Sequence, residues 1–213
     1  KLFVSSTNFK LRLMSIFFIA ELGINHNGDI KQAISLIDSA AKTGVDCVKF
    51  QTYLTEKRVT KYTKDKFFDL FKKLELPFEA FKDLKEYAES LGLNFTSTPF
   101  DKDSADYLED IGVDILKIAS FDVTNYKFLR HLAKKDIPTI LSVGMADMHE
   151  IKEAEKILTK RSKYITLLHC ISSYPTKLED ANLSSIYTLK KEFNCVIGQS
   201  DHTNDIEVPQ GAR

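Results

Sequence analysis

The sequence predicts an α/β fold: an incomplete TIM-type (β/α)8 barrel with about seven parallel strands. Three observations predict it. Short apolar runs alternate with longer amphipathic ones from Met14 onward. Six helical segments in a row separate the strand candidates, and each crossover returns the chain to the same edge, so neighbouring strands must run parallel. Gly44, Gly92 and Gly112 each close a helix just before a strand, the mark of a repeated unit. An open nucleotide-binding sheet is disfavoured, since no GxGxxG follows the first strand and no GxxxxGK[ST] occurs.

The elements follow in order. Strands are expected at 17–21, 47–51, 94–98, 115–119, 139–143, 165–170 and 195–199, each a short apolar run bounded by turn residues. Helices are expected at about 30–43, 78–91, 102–111, 125–135, 148–160 and 182–193, where apolar residues recur at 3.6 spacing. The Lys-rich segment 53–76, containing FFDLFKKL, reads as an insertion with a short extra helix over one end of the sheet. Residues 1–13 carry three positive and no negative charges and read as an upstream segment without order, leaving 14–213 as the barrel domain. The apolar run 16–20 is too short for a secretory signal and lacks a small-x-small cleavage site. A complete barrel takes about 250 residues; here the sequence stops at VPQGAR after the seventh strand, so strand 8 is expected to be missing and strands 1 and 7 to keep open edges.

Composition narrows the partners. The 213 residues hold 30 Lys plus Arg against 30 Asp plus Glu, so there is no global positive field to hold nucleic acid. No run approaches the ~20 apolar residues of a membrane-spanning helix. Cys47, Cys170 and Cys195 form no CxxC and no disulfide framework, which fits a reducing cytoplasm.

In such a barrel the chemistry sits at the carboxyl ends of the strands. Those ends are unusually polar: Glu21, Lys49 with Gln51, Thr98 before Phe100, Lys117 with Ser120, Ser142, His169 with Cys170, and Ser200 with His202. Lys49 and Gln51 are two apart and share one face of a strand. A lysine inside a barrel must meet a negative partner, because its desolvation otherwise costs several kcal/mol. Two lysines, several hydroxyls and one acid at a common rim describe a site for a ligand bearing phosphate and carboxylate. Blander roles compete at each position. Hydroxyls commonly satisfy turn backbone, His202 alone would serve equally as a loop cap, and the lysines could simply pair with rim acids. Asn25 and His26 read as turn formers, His169 as a satisfied core histidine, His131 and His149 as surface residues, the cysteines as small core residues, and Lys57 to Lys73 as a solvated face.

Six motifs then occur in one order: IAELGINHNGD, AAKTGVDCVKFQTY, FTSTPFD, LKIAS, LLHC with YP shortly after, and GQSDHT. Over about residues 16–209 the sequence closely resembles the N-acetylneuraminate (sialic acid) synthases, a family that includes legionaminic and pseudaminic acid synthases. The resemblance implies condensation of phosphoenolpyruvate with an open-chain N-acyl mannosamine-type sugar, giving a nine-carbon 2-keto acid and releasing phosphate by C–O cleavage. It further implies that Lys49, Thr98, Lys117, Ser120 and Ser200, with Ser142 beside them, bind phosphoenolpyruvate, and that Glu21 is the essential carboxylate. Gln51, Phe100, Asp122 and Tyr174 would meet the aldehyde or the sugar, and His202 would be one ligand of a Mn2+ or Mg2+ ion. The full-length family protein is expected to be a homodimer. Three positions depart from the pattern: Phe121 stands for a usual glycine, Val143 for a common threonine, and Ile171 for an expected threonine. The family's second metal-binding histidine, on strand 8, and its C-terminal antifreeze-like domain have no counterpart in these residues, so the chain alone is expected to turn over little. Two other classes stay open: a Schiff-base aldolase with Lys117 as the amine nucleophile, and an inactive remnant whose exposed edge serves only association.

Overall fold

The computed structural model describes residues 16–60, 64–160 and 164–212; the expectation for residues 1–13 lies outside the described residues. Seven strands form one sheet in strict sequence order, every neighbouring pair parallel. They are β1 (Ile19–Gly23), β2 (Cys47–Thr52), β3 (Asn94–Pro99), β4 (Ile115–Ile118), β5 (Thr139–Ser142), β6 (Ile165–Cys170) and β7 (Val196–Ser200). The sheet is the curled wall of an incomplete TIM barrel: among the described residues β1 pairs only with β2, and β7 only with β6. Exposed apolar side chains, Phe18 beside β1 and Val196 in β7, mark the two open edges.

The helices alternate with the strands as the periodicity requires. They are α1 (Ile30–Ala41), α4 (Phe78–Ser90), α5 (Lys102–Asp110), α6 (Tyr126–Leu132), α7 (Met148–Leu158) and α8 (Ser184–Glu192), with α2 (Thr55–Arg58) and α3 (Lys64–Leu74) in the insertion and α9 (Glu207–Gly211) at the end. Caps fix their starts. Asp29 Oδ1 accepts the Lys31 N–H at 2.7 Å, and Asp147 with Glu150 forms a reciprocal capping box that satisfies two donors at once. Gly44, Gly92 and Gly112 have φ of 79°, 78° and 72°, the left-handed stops expected of them.

Most boundaries shift by a residue or two from expectation, and three differences have structural consequences. β1 lies two residues later than 17–21, because Phe17 and Phe18 are exposed and the ladder to β2 begins at Ile19. α6 ends at Leu132 rather than 135, and the turn that follows it gives Lys135 to an ion-pair cluster with Asp106 and Glu109. The insertion holds two helices instead of one. It is clamped onto the barrel by the turn after β1, where Gly28 (φ 78°) comes so close that a Cβ there would lie 2.3 Å from the Lys73 carbonyl oxygen.

The register decides what each sheet face does. In-register parallel neighbours point the same way, and side chains alternate along each strand. One face therefore carries Val48, Phe50, Phe95, Leu116, Ile118, Leu141 and Leu167, all at most 1% exposed, packed against the helices. The opposite, concave face is polar, and it is there that the sequence-predicted residues lie.

Candidate active site

The ladder pairs Glu21 with Lys49, Gln51 with Thr98, Thr96 with Ile115, Lys117 with Ile140, Ser142 with Leu168, and Cys170 with Ser200. Following the two-residue alternation through these pairs puts Glu21, Lys49, Gln51, Thr98, Lys117, Ser142, Cys170 and Ser200 on one face. All stand at or near the carboxyl ends of their strands. Five of the six substrate-binding positions expected to share an anion, Lys49, Thr98, Lys117, Ser142 and Ser200, thus come from five different strands to one surface, and Ser120 joins them from the turn after β4.

The two lysines share this face, on β2 and β4, close enough for the charge of Lys117 to bear on Lys49. The Lys49 ammonium contacts the Glu21 carboxylate. Burial and the neighbouring Lys117 charge push Lys49 well below the ordinary lysine range, while contact with Glu21 opposes that push. Lys117 is 5% exposed, and burial brings its pKa down to about 8. Its Nζ donates to the Ile118 carbonyl at 2.8 Å and to Ser142 Oγ at 2.7 Å. Ser120 Oγ accepts the Gly144 N–H at 3.2 Å and lies 3.0 Å from Cys170 Sγ. Gly144 makes this possible by close approach, since a Cβ there would fall 2.2 Å from the Cys170 carbonyl oxygen.

A second patch lies over β6 and β7. The His202 ring packs against Tyr174 in a tilted arrangement, centroids 4.1 Å apart and planes 34° from parallel. His202 Nδ1 is 2.6 Å from the Ile171 carbonyl, which can only accept, so Nδ1 carries the proton and Nε2 takes the Tyr174 hydroxyl at 3.0 Å. In that tautomer the Nε2 lone pair is engaged by the Tyr174 hydroxyl, which a metal ion would have to displace. Among the described residues no group of three or more metal-ligating side chains converges. One histidine does not make a metal site by itself.

Other expected residues sit differently. Phe100 stacks on the exposed Phe121 at 5.8 Å, so the phenylalanine standing for glycine extends the rim instead of merely removing room. Asp122 is buried, with Oδ1 accepting from Asn125 Nδ2 at 2.9 Å, Oδ2 without a partner among the described residues, and its carboxyl raised by burial. The structure does not bring it to the lysine cluster. His169 is a satisfied core residue, its Nε2 2.8 Å from the Ala181 carbonyl. His131, read as a surface residue, is half-buried on Asp106 at 2.6 Å.

Two residues escaped sequence reasoning. Cys170 read as core filler but touches Ser120. Arg58, inside the stretch read as a solvated face, is half-buried, and its Nη1 donates to Gln51 Oε1 at 3.2 Å. Neither ends an apolar run with a charge, so reading strand ends cannot find them.

Comparison with known proteins agrees with the motifs. The chain is 41% identical to an N,N'-diacetyllegionaminic acid synthase of Legionella pneumophila, over 92% of its own length and 60% of the relative's. It is 33% identical to the mouse N-acetylneuraminate-9-phosphate synthase, over 92% of its length and 58% of that protein. The chain thus spans less than two thirds of the curated relatives it matches. The crystal structure of the N-acetylneuraminic acid synthetase of Leptospira borgpetersenii, in complex with citrate, superposes with a TM-score of 0.88 at 42% identity, covering 92% of this chain and 68% of that one. A model of the NeuB family matches residues 36–213, and with this fold and these motifs the chain belongs to the NeuB family.

Proposed function

We propose that this chain carries the catalytic barrel of a nonulosonic acid synthase, which joins phosphoenolpyruvate to the aldehyde of an open-chain N-acyl mannosamine-type sugar. In that reaction C3 of phosphoenolpyruvate attacks the aldehyde carbon, water adds to the cation developing at C2, and the C–O bond to phosphate breaks, leaving a 2-keto acid and inorganic phosphate. The observation that carries the reading is the polarity of the hydrogen bonds around Lys117. An ammonium has three protons, and two are engaged by Ile118 and Ser142. The Ser142 oxygen already accepts from Lys117, so its hydroxyl keeps a proton to donate, while Ser120 Oγ accepts the Gly144 N–H and also meets Cys170 Sγ. Around Lys117 the surface is thus rich in donors, which suits a phosphate or carboxylate. Glu21, held by Lys49 at the same rim, is placed to steer the water and to oppose positive charge at C2. A divalent ion, with His202 as one ligand, would polarise the aldehyde; no step above depends on it.

Titration calorimetry tests the reading. Phosphoenolpyruvate should bind the chain, and Lys117→Met should weaken it by about 10- to 100-fold, the worth of a hydrogen bond to a charged group. Undiminished binding by that variant would refute the assignment. The lowered pKa of Lys117 favours a second reading, the Schiff-base aldolase, because a neutral amine is a nucleophile. Borohydride with pyruvate would then label Lys117, whereas the synthase reading expects no label.

A further inference from the structure

Arg58 stands apart from every other cation at the rim. Its guanidinium carbon lies 3.9 Å from the ring centre of Phe100, 4.1 Å from that of Phe71 and 4.4 Å from that of Tyr53. Three rings from separate elements hold its plane and strip its water, and burial depresses its pKa. Among the described residues no carboxylate lies within ion-pair distance of it. The nearby acids are spoken for: Glu56 and Glu75 pair with Lys72, Asp103 pairs with Lys57, and Asp101 caps α5 while accepting the Leu54 N–H. Cation–π contacts offset part of the desolvation and leave the N–H edges unspent. Of five guanidinium donors, the hydrogen bond to Gln51 uses one.

Gln51 shows where this charge points. Its Oε1 faces Arg58, and its Nε2 lies on the Glu21 side, both groups crowding the space beside Gly23, where a Cβ would be 2.9 Å from Glu21 Oε1 and 3.5 Å from Gln51 Nε2. One side-chain amide therefore spans from the Glu21 corner to the guanidinium. Among the described residues, then, Lys117 and, separately, Arg58 have no carboxylate ion-pair partner.

We propose that Arg58 is a specificity-determining residue which binds an oxyanion, phosphate or carboxylate, carried by the sugar at the end remote from its aldehyde. The guanidinium fork matches either group with paired N–H donors, which an ammonium cannot do. The inference rests on the sugar-acid reading above and deepens it.

Calorimetry of the 213-residue chain with N-acetylmannosamine, its 6-phosphate and its 6-carboxylate (the uronic acid) decides it, with phosphoenolpyruvate titrated separately. At least one anionic sugar should bind about tenfold or more tightly than the neutral one. Arg58→Met, which keeps an apolar chain between the rings, should abolish that preference; Arg58→Lys should retain part of it; phosphoenolpyruvate affinity should not change in either. Equal binding of neutral and anionic sugars, or a preference that survives Arg58→Met, overturns the proposal. Loss of phosphoenolpyruvate binding by the unaltered chain would instead strike the synthase reading, and the sugar comparison would still be legible.

Discussion

At the scale of single residues, the charge state of Lys117 controls the site. With a pKa near 8 in the free chain, the ammonium is present below pH 8 and lost above it. An anion binds the protonated form, so phosphoenolpyruvate affinity should be level below pH 8 and fall by about tenfold per unit above it. Calorimetry across pH 7 to 10 checks this, and a flat profile would contradict it. Much of this scale was legible beforehand. Glu21, Lys49, Lys117 and Ser200 could be picked out because each places a polar group within a short strand or at its end, where burial is costly unless the group is paired. Arg58 could not, because its cage is assembled from Tyr53, Phe71 and Phe100, and nothing local in an insertion tells which aromatic rings will meet.

At the scale of elements, the turns after the strands do the fine positioning. The turn after β5 must pass against the end of β6 for the Gly144 N–H to reach Ser120. Gly144→Ala should force it outward, costing about 1–3 kcal/mol of stability in urea denaturation, as overpacking does. The same variant should weaken phosphoenolpyruvate binding; a variant of native stability and affinity would show that the approach is not needed. Strand and helix identities followed from periodicity, since buried runs of four to six residues in β2 to β6 alternate with amphipathic stretches. What periodicity could not supply was where β1 begins, because Phe17 and Phe18 look like strand residues and their exposure depends on what lies across the open edge. The second helix of the insertion was hidden for a related reason: α2 spans only Thr55–Arg58, too short to show a helical period.

At the scale of the whole molecule, the incomplete wall is the dominant feature. Among the described residues no helix is long and apolar enough to cross a membrane. Among the described residues the outer edges of β1 and β7 have no strand partner, and apolar side chains such as Phe18 and Val196 are exposed there. The 213-residue chain should therefore associate as its concentration rises, and Val196→Lys should shift light scattering toward the monomer; identical behaviour of the two would argue against edge pairing. The register itself has a further consequence. Because the polar side chains of the concave face and the hydrophobic packing alternate along the same strands, deleting one residue inside β2 or β4 would carry Lys49 or Lys117 to the helix side and bring Phe50 or Leu116 to the concave face. Length changes are therefore tolerated only in the connecting loops, and the 53–76 excursion shows how much extra chain such a loop can absorb while the row from Glu21 to Ser200 keeps its phase.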